Sequence, residues 1–377
     1  MHGNNMPSIA DGEVTMNSKR NVETLVAGLL CACFVFVPDR STAQSNLFGQ
    51  LVAAAKPEVE KREGKLSVGM TWTNPQAKPV LEEFKKDFPF VKEVTYTRLR
   101  TVEQMQRMLM ESKTGRPPDI DIPFISEELW PDYLKEKMFL KPHFPYAQLV
   151  KSLPKDWPEP DPRTMDPQGL YIASTGSARG IAYNKSLIPA AQAPKGWEDC
   201  IDPKYRGKII YDTRDRLLAF QHDPKTKEWF LKWLKGLVAN KVVLNRGMEE
   251  NLQKVAAGEF LISCVANYHN AMPLIDEGAP LVFLFPDPYT SDIATEMHVL
   301  SWSKTPITTQ LFALWLATKA QPLIEKLTYR GFPWVPGTKK YSMTKGKTMA
   351  LCAADCAAKA EQYDQEHAKI IGLPGAR

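Results

Sequence analysis

The stretch that decides the fold runs from Leu170 to Asp212 and reads LYIASTGSARGIAYNKSLIPAAQAPKGWEDCIDPKYRGKIIYD. An apolar run from Leu170 is broken by Thr175, Gly176 and Ser177, and a second short strand is expected over 180–184. A proline- and glycine-containing loop, a short helix over 197–205 and a strand over 209–211 follow. Asp212 and Thr213 then stand where a side chain can cap the next helix. The stretch therefore predicts alternating strands and helices.

The chain on both sides of this stretch continues the alternation. Before it, we predict helices over 44–65, 78–88, 101–114 and 126–136, and strands over 66–70, 91–98 and 120–124. After it, we predict helices over 225–237, 248–258, 308–320 and 321–329, strands over 242–244, 260–266, 281–285 and 297–302, and a helical tail over 344–371. The almost wholly apolar run 260–266 is typical of a buried parallel strand. The predicted fold class is α/β, with parallel sheets covered by helices.

Composition and missing motifs narrow the function. The 377 residues are 44% hydrophobic and 24% charged, which suits a soluble chain of two ordinary lobes plus a targeting segment. A scattered net charge of +5 does not indicate nucleic acid and mildly favours anionic ligands. The chain has no P-loop, dinucleotide-binding glycine motif, nucleophile elbow or His-Glu-x-x-His helix. The sequence therefore favours a binding protein over an enzyme.

The first 43 residues have the pattern of a secretory signal peptide. A short basic segment after Met16, an alternative translation start, precedes an apolar run over 22–37, and Ser41 and Ala43 are small residues at a cleavage site. We predict export to the periplasm and a mature chain beginning at Gln44. A membrane anchor, or a lipid attached at Cys33, remains an alternative.

Polar side chains follow several predicted strands and give the candidate ligand-binding residues. In an open α/β sheet, ligands bind beyond the carboxyl ends of strands, where helix N-termini present free N–H groups. The candidates on these loops are Thr71, Trp72, Asn74, Ser126, Thr175, Gly176, Ser177, Asp212, Thr213, Arg214, Tyr268 and His269. Hydroxyl, amide, aromatic and guanidinium groups suit a small polar solute, although capping and turn roles explain many of them equally well.

Two phrases within the opening stretch resemble a known family. Ala182-Tyr183-Asn184-Lys185 and the run from Pro194 to Ile209, PKGWEDCIDPKYRGKI, resemble motifs of ABC-transporter solute-binding proteins with the type II periplasmic fold. The resemblance is strongest to the branch that binds ferric iron, phosphonates, thiamine or polyamines. It implies a first lobe over 44–173, a second lobe over 174–289, and a return of 290–377 to the first lobe with C-terminal helices. It also implies a ligand cleft that closes, and delivery of the solute to a membrane permease and ATPase.

The same resemblance bears on the ligand. Ferric-binding members carry two adjacent tyrosines where this chain has Tyr268 and His269, so these two residues are candidate metal ligands only if the solute is ferric iron. No cofactor, nucleic-acid partner or oligomer is predicted. Two alternatives stay open, an exported metal-dependent enzyme on the same fold and the ligand-reading subunit of a membrane sensor.

Four cysteines remain after the predicted cleavage site. Their even number permits disulfides in an oxidising compartment. Cys352 and Cys356 are expected on one face of a helix, where a bridge would be strained, and Cys264 is expected as a buried small residue. The pairing is left open.

Overall fold

The computed structural model describes residues 46–125, 129–214 and 217–373. The predicted signal peptide, the predicted start of the mature chain at Gln44 and the candidate residue Ser126 lie outside these ranges. Within them, no helix is both long and apolar enough to cross a membrane.

Fourteen α-helices are present in the described residues. In chain order they are α1 (Leu47–Glu60), α2 (Asn74–Asp87), α3 (Val102–Lys113), α4 (Trp130–Lys135), α5 (Tyr146–Leu149), α6 (Leu218–His222), α7 (Pro224–Ala239), α8 (Met248–Ala257), α9 (Tyr268–Asp276), α10 (Pro306–Ala317), α11 (Gln321–Thr328), α12 (Lys339–Thr344), α13 (Ala354–Ala357) and α14 (Ala360–Ile371). The predicted helix over 197–205 is instead two short 3-10 helices, Trp197–Ile201 and Pro203–Tyr205.

Eleven strands form two sheets in the part of the chain that the structure describes. In chain order they are β1 (Lys65–Met70), β2 (Glu93–Arg98), β3 (Ile122–Pro123), β4 (Phe139–Leu140), β5 (Tyr171–Asn184), β6 (Ile209–Asp212), β7 (Val243–Asn245), β8 (Ile262–Asn267), β9 (Leu281–Leu284), β10 (Tyr289–Leu300) and β11 (Met349–Cys352). The first sheet has the order β2-β1-β3 and is parallel throughout. The second has the order β11-β10-β5-β8-β6-β7, with β4 on β10 and β9 on β5.

The second sheet is mixed rather than purely parallel. Strands β6, β7 and β8 are parallel to one another, as the apolar run in β8 predicts, but β5 is antiparallel to β8, β9 and β10. Strands β5 and β10 are long and pair from Thr290 opposite Arg179 to His298 opposite Tyr171. These two strands carry the chain between its two main cores.

The buried apolar residues separate into cores that define the two lobes. One core packs helices α1, α2 and α10 around the first sheet and takes Ile172 and Met297 from β5 and β10. Two adjoining cores lie on the other side, and they include Ile181 of β5, Tyr289 of β10 and the strands β6 and β8. The chain therefore crosses between lobes within β5 and β10. The predicted lobe boundaries fall on these strands, and their exact positions stay predictions.

The C-terminal segment differs from its expected place and form. The tail was expected to be helical and to lie with the first lobe, but strand β11 interrupts it and pairs with β10. The last helix, α14, packs on α7, where Glu366 pairs with Lys227 at 3.0 Å and Ile371 enters the core of the second lobe. A short apolar run between two helices carries too little periodicity to reveal such a strand.

Among the described residues, two disulfides form within the second lobe. Cys200 bridges to Cys264, so the expectation that Cys264 is only a small buried residue is incomplete. Cys352 bridges to Cys356 with their Cα atoms 5.2 Å apart. The expected strain came from placing both cysteines on one helix, whereas Cys352 ends β11 and only Cys356 is helical. The strand-to-helix change brings the two Cα atoms within bridging distance.

Candidate functional site

An open cavity of about 450 Å³ lies at the carboxyl ends of β6 and β8 in the second lobe. Helices α8 and α9 begin at this edge, so both turn N-terminal N–H groups toward it. The lining residues are Arg179, Asp212, Arg214, Gly247, Met248, Glu249, Glu250, Asn267, His269, Asn270 and Arg330. Strand ends and helix N-termini thus meet where the fold class predicts a ligand site.

Two arginines from different parts of the chain stand at the β5 side of this cavity. Arg179 lies on β5, and its guanidinium pairs with Asp292 of β10 at 2.7 Å. Arg330 follows α11, and its backbone carbonyl accepts a hydrogen bond from the Gly176 N–H at 2.9 Å. Within the described residues, the Arg330 guanidinium has no hydrogen-bond or ion-pair partner. Burial, and then the charge of Arg179, lower the pKa of Arg330 to about 10, so it stays charged at neutral pH.

Asp212 and Arg214 form a neutralised pair in the middle of the sheet edge. The Arg214 Nη2 lies 2.8 Å from the Asp212 carboxylate, which also accepts the Gly247 N–H at 3.0 Å. Burial would raise the pKa of Asp212, but the hydrogen bonds from Arg214 and Gly247 outweigh it and lower that pKa. The carboxylate ties the end of β6 to the start of α8. Glu249 and Glu250 lie beyond it, at the β7 side of the cavity.

His269 is a neutral group in this wall. Burial lowers its pKa well below the usual range, and the charges of Arg330, Lys340 and Arg179 add to the effect. A neutral imidazole can donate one hydrogen bond and accept another. His269 therefore offers hydrogen bonding to a ligand rather than a third positive charge.

Tyr268 lies outside the cavity wall, although it was predicted to contact the solute. Its side chain is 0% exposed and stacks on Phe285, with ring centroids 5.5 Å apart. Burial, and then the nearby Glu325 carboxylate, raise the pKa of its hydroxyl. The reason for the difference is helical geometry, because consecutive residues of α9 point about 100° apart and only His269 turns outward.

The candidates after β1 are likewise not part of this cavity. Trp72 is core, at 5% exposure, and its carbonyl accepts the Tyr96 hydroxyl at 2.7 Å. Thr71 and Asn74 are exposed, and Asn74 is the first residue of α2. Thr73 caps that helix, with its N–H bonded to the Gln76 side chain at 3.0 Å. The polar residues here serve the start of a helix.

The candidates within β5 also occupy a different setting from the one expected. Thr175, Gly176 and Ser177 continue one strand instead of forming a loop, and Thr175 and Ser177 are buried. A Cβ atom on Gly176 would lie 3.1 Å from the Phe332 ring, so glycine allows the segment after α11 to come close. Thr213 is half-buried and donates its N–H to the Asn245 carbonyl at 3.0 Å.

The structure thus brings Asp212, Arg214 and His269 together and adds two arginines, Arg179 and Arg330, that were not among the predicted site residues. Arg179 is five residues before the end of a strand, and Arg330 follows a helix whose end has no recognisable motif. No local pattern in the sequence marks either arginine as part of the site. Among the described residues, no cluster of three or more His, Cys, Asp or Glu side chains has the arrangement of a metal site.

Comparison with known proteins identifies a family and solved structures that this chain resembles. The sequence profile of a family described as bacterial extracellular solute-binding protein matches residues 117–349. A search of curated proteins finds no match. Among solved structures, the Bordetella ferric binding protein is 18% identical with a TM-score of 0.62, covering 81% of this chain and 98% of its own.

Two further structures share the fold. The Trichodesmium protein IdiA (FutA), in complex with iron and citrate ligands, is 15% identical with a TM-score of 0.62 and covers 81% of this chain and 99% of its own. Iron-bound HitA from Pseudomonas aeruginosa is 16% identical with a TM-score of 0.58, covering 81% and 99%. At such low identities, the structural matches establish a common two-lobed α/β fold and nothing further. Because the family profile spans most of the chain, the protein belongs to the bacterial extracellular solute-binding proteins, the substrate-binding components of ABC importers.

Proposed function

We propose that this protein captures a small anionic solute in the cavity of the second lobe. The observation that carries the proposal is the Arg330 guanidinium, a charged group that faces the cavity without a partner in the described residues. A guanidinium that loses water without a counter-ion is costly, and a carboxylate or phosphate can supply two parallel hydrogen bonds to it. The ligand is therefore expected to complete the site electrostatically.

The surrounding groups support an oxyanion as the bound species. His269 and the free N–H groups at the start of α9 stand beside Arg330, and both suit anionic oxygen acceptors. Arg179 adds positive potential even though Asp292 neutralises part of its charge. Glu249 and Glu250 lie toward the opposite side, so we expect the negative charge of the solute to be concentrated at one end.

Bare ferric iron fits these residues poorly. Ferric iron prefers anionic oxygen ligands. The Tyr268 phenol is buried and its pKa is raised, so it is not available as a phenolate. At the β5 side, the cavity is lined by arginines rather than by free carboxylates. Ferric iron chelated by an organic acid is a second candidate for the bound solute, because such a chelate presents carboxylates to the arginines. The Trichodesmium protein of the same fold is described with iron and citrate together.

The proposed role is binding and delivery without turnover. We propose that the exported protein acts as a monomer in the periplasm after cleavage before Gln44, and hands its solute to an ABC permease and ATPase. Membership of the solute-binding family supports this, and the sequence has no P-loop, nucleophile elbow or His-Glu-x-x-His helix. Intact mass of the exported form tests the cleavage site, and a lipid at Cys33 would contradict it.

Calorimetric titration of ligand-stripped protein tests the anion proposal. The probes are inorganic phosphate, methylphosphonate, citrate, ferric citrate and a ferric salt. We expect an anion to bind, and Arg330→Gln to weaken it by about 10- to 100-fold, since a charged hydrogen bond contributes about 1.5–3 kcal/mol. Arg107→Gln is the control, because Arg107 is 79% exposed on α3.

The outcomes separate the candidates. Binding of citrate and ferric citrate with similar affinity indicates the organic anion as the recognised group. If ferric citrate is the only probe that binds, the iron chelate is favoured as the solute. Tight binding of the ferric salt that survives Arg330→Gln would overturn the anion proposal.

A further inference from the structure

We propose that Lys340, which lies outside the cavity, is the residue that positions Arg330 for ligand binding. Lys340 is the second residue of α12, ten residues after Arg330. Its ammonium donates hydrogen bonds to the Tyr329 carbonyl at 2.9 Å and the Gly331 carbonyl at 2.5 Å. Lys340 thus holds the residues immediately before and after Arg330.

The ammonium also forms an ion pair with the preceding helix. Lys340 Nζ lies 3.0 Å from the Glu325 carboxylate of α11, and the two side chains are only 1% and 5% exposed. The two carbonyls accept hydrogen bonds from the ammonium. The carboxylate neutralises its charge, although among the described residues the Glu325 oxygens accept no hydrogen bond of ordinary geometry. The ammonium therefore ties the last turn of α11 to the segment 329–331.

This segment needs such an anchor. Tyr329 ends α11 in the left-handed region, at φ 55°, which costs a non-glycine residue free energy. Gly331 packs so closely on α11 that an added Cβ would lie 2.7 Å from the Glu325 Cβ. The Arg330 N–H and carbonyl are held by the Thr328 hydroxyl and the Gly176 N–H. Lys340 completes the set of contacts that fix the Arg330 backbone.

A buried ion pair such as Lys340 and Glu325 is not by itself evidence of greater folding stability. Well-packed apolar side chains of similar volume often replace such a pair with no loss of folding free energy. Tyr268 provides the apolar floor here, since its ring centroid lies 4.8 Å from the Lys340 Nζ. Both carbonyls flanking Arg330 would lose their donor in such a replacement. Lys340 therefore differs from a replaceable ion pair, because its ammonium also holds the two carbonyls that flank Arg330.

The effect of Lys340 on ligand binding rests on the proposed function. The effect of Lys340 on the Arg330 segment can be tested without a ligand. The double variant Lys340→Met/Glu325→Leu removes both buried charges together, so neither is left unpaired. Hydrogen exchange of a peptide covering 328–332 is measured in the ligand-free protein. We expect exchange there to accelerate by about 10-fold or more, because a released segment opens locally while the rest stays folded.

The control changes another ion pair with a buried carboxylate, whose members do not line the cavity. Arg62 and Asp121 pair at 3.1 Å in the first lobe, with the carboxylate 1% exposed. Arg62→Met/Asp121→Leu should leave exchange over 328–332 at the wild-type rate. Unchanged exchange in the Lys340→Met/Glu325→Leu protein, with circular dichroism showing an intact fold, would overturn the positioning role.

A coupling measurement shows whether Lys340 acts through Arg330. With inorganic phosphate as the probe, we expect the Lys340→Met/Glu325→Leu protein to bind about 5- to 20-fold more weakly than wild type, as for residues that share one network. Adding Arg330→Gln should weaken binding no further than Arg330→Gln alone. Multiplied losses would overturn the inference. If Arg330→Gln itself leaves phosphate binding unchanged, the anion proposal fails, and the exchange result still decides the role of Lys340.

Discussion

Two strand ends of this protein have similar sequences but different structural roles. The segment 71–74 follows β1 in the first lobe, and the segment 267–270 follows β8 in the second. Both place polar and aromatic side chains after a buried parallel strand and before a helix. The first encloses a buried tryptophan and a helix cap, whereas the second opens onto the arginine-lined cavity. The difference comes from the neighbours, because Arg179 and Arg330 reach only the second strand end.

The comparison is tested most strongly at Tyr268, the first residue after β8. Since the ring is fully buried, Tyr268→Ala should lower the free energy of unfolding by about 3–5 kcal/mol, the usual loss for a large core aromatic. Urea denaturation followed by circular dichroism measures it. Tyr268→Phe is the control and should stay within about 1 kcal/mol of wild type, because the hydroxyl makes no hydrogen bond of ordinary geometry among the described residues.

The next residue should behave in the opposite way. His269→Ala is expected to weaken binding of the cognate anion by about 3- to 10-fold, since one neutral hydrogen bond contributes about 0.5–1.5 kcal/mol. Its effect on unfolding should be small compared with Tyr268→Ala. Titration calorimetry with the anion found for the wild type measures the loss. A binding loss at Tyr268 with none at His269 would reverse the assignment of these two side chains.

The strand end after β1 should respond only in stability. Thr73→Ala removes the capping residue of α2 and should cost about 1 kcal/mol of unfolding free energy. Anion affinity should stay at the wild-type value, because 71–74 does not line the cavity. Thr71→Ala, which alters an exposed side chain next to the cap, is the matched control and should change neither quantity. A loss of affinity in Thr73→Ala would bring the first strand end into the site.

The smallest expected effect is in the pH dependence of stability. His269 has a lowered pKa in the folded protein, so below about pH 6.5 the unfolded chain binds a proton that the folded chain does not. This contribution to stability is complete above pH 6.5 and is lost as the pH falls. His298, whose pKa burial lowers to about 3, acts in the same direction. His269→Gln should reduce the loss between pH 7.5 and 5.5 by about 1 kcal/mol.

Local patterns in the sequence determined the fold class and part of the site. Apolar patterns predicted β1, β2 and β8 and the longer helices α2, α3, α7 and α8, since the burial of one face repeats along the element itself. The phrases from Ala182 to Ile209 indicated the solute-binding family that the profile match confirms. Asp212, Arg214 and His269 were accessible to the same reasoning, because strand ends in such sheets meet at one edge.

Only the tertiary structure decided which strand end carries the charge. Arg179, Arg330 and Lys340 are far apart in sequence from His269, and they meet because β5 crosses between lobes and the segment after α11 packs on Gly176. The turn of α9 likewise decided that Tyr268 is core and His269 faces the cavity. Sequence patterns report the period of burial along one element. The partners of a charged side chain depend on contacts between distant elements, which leave no local period.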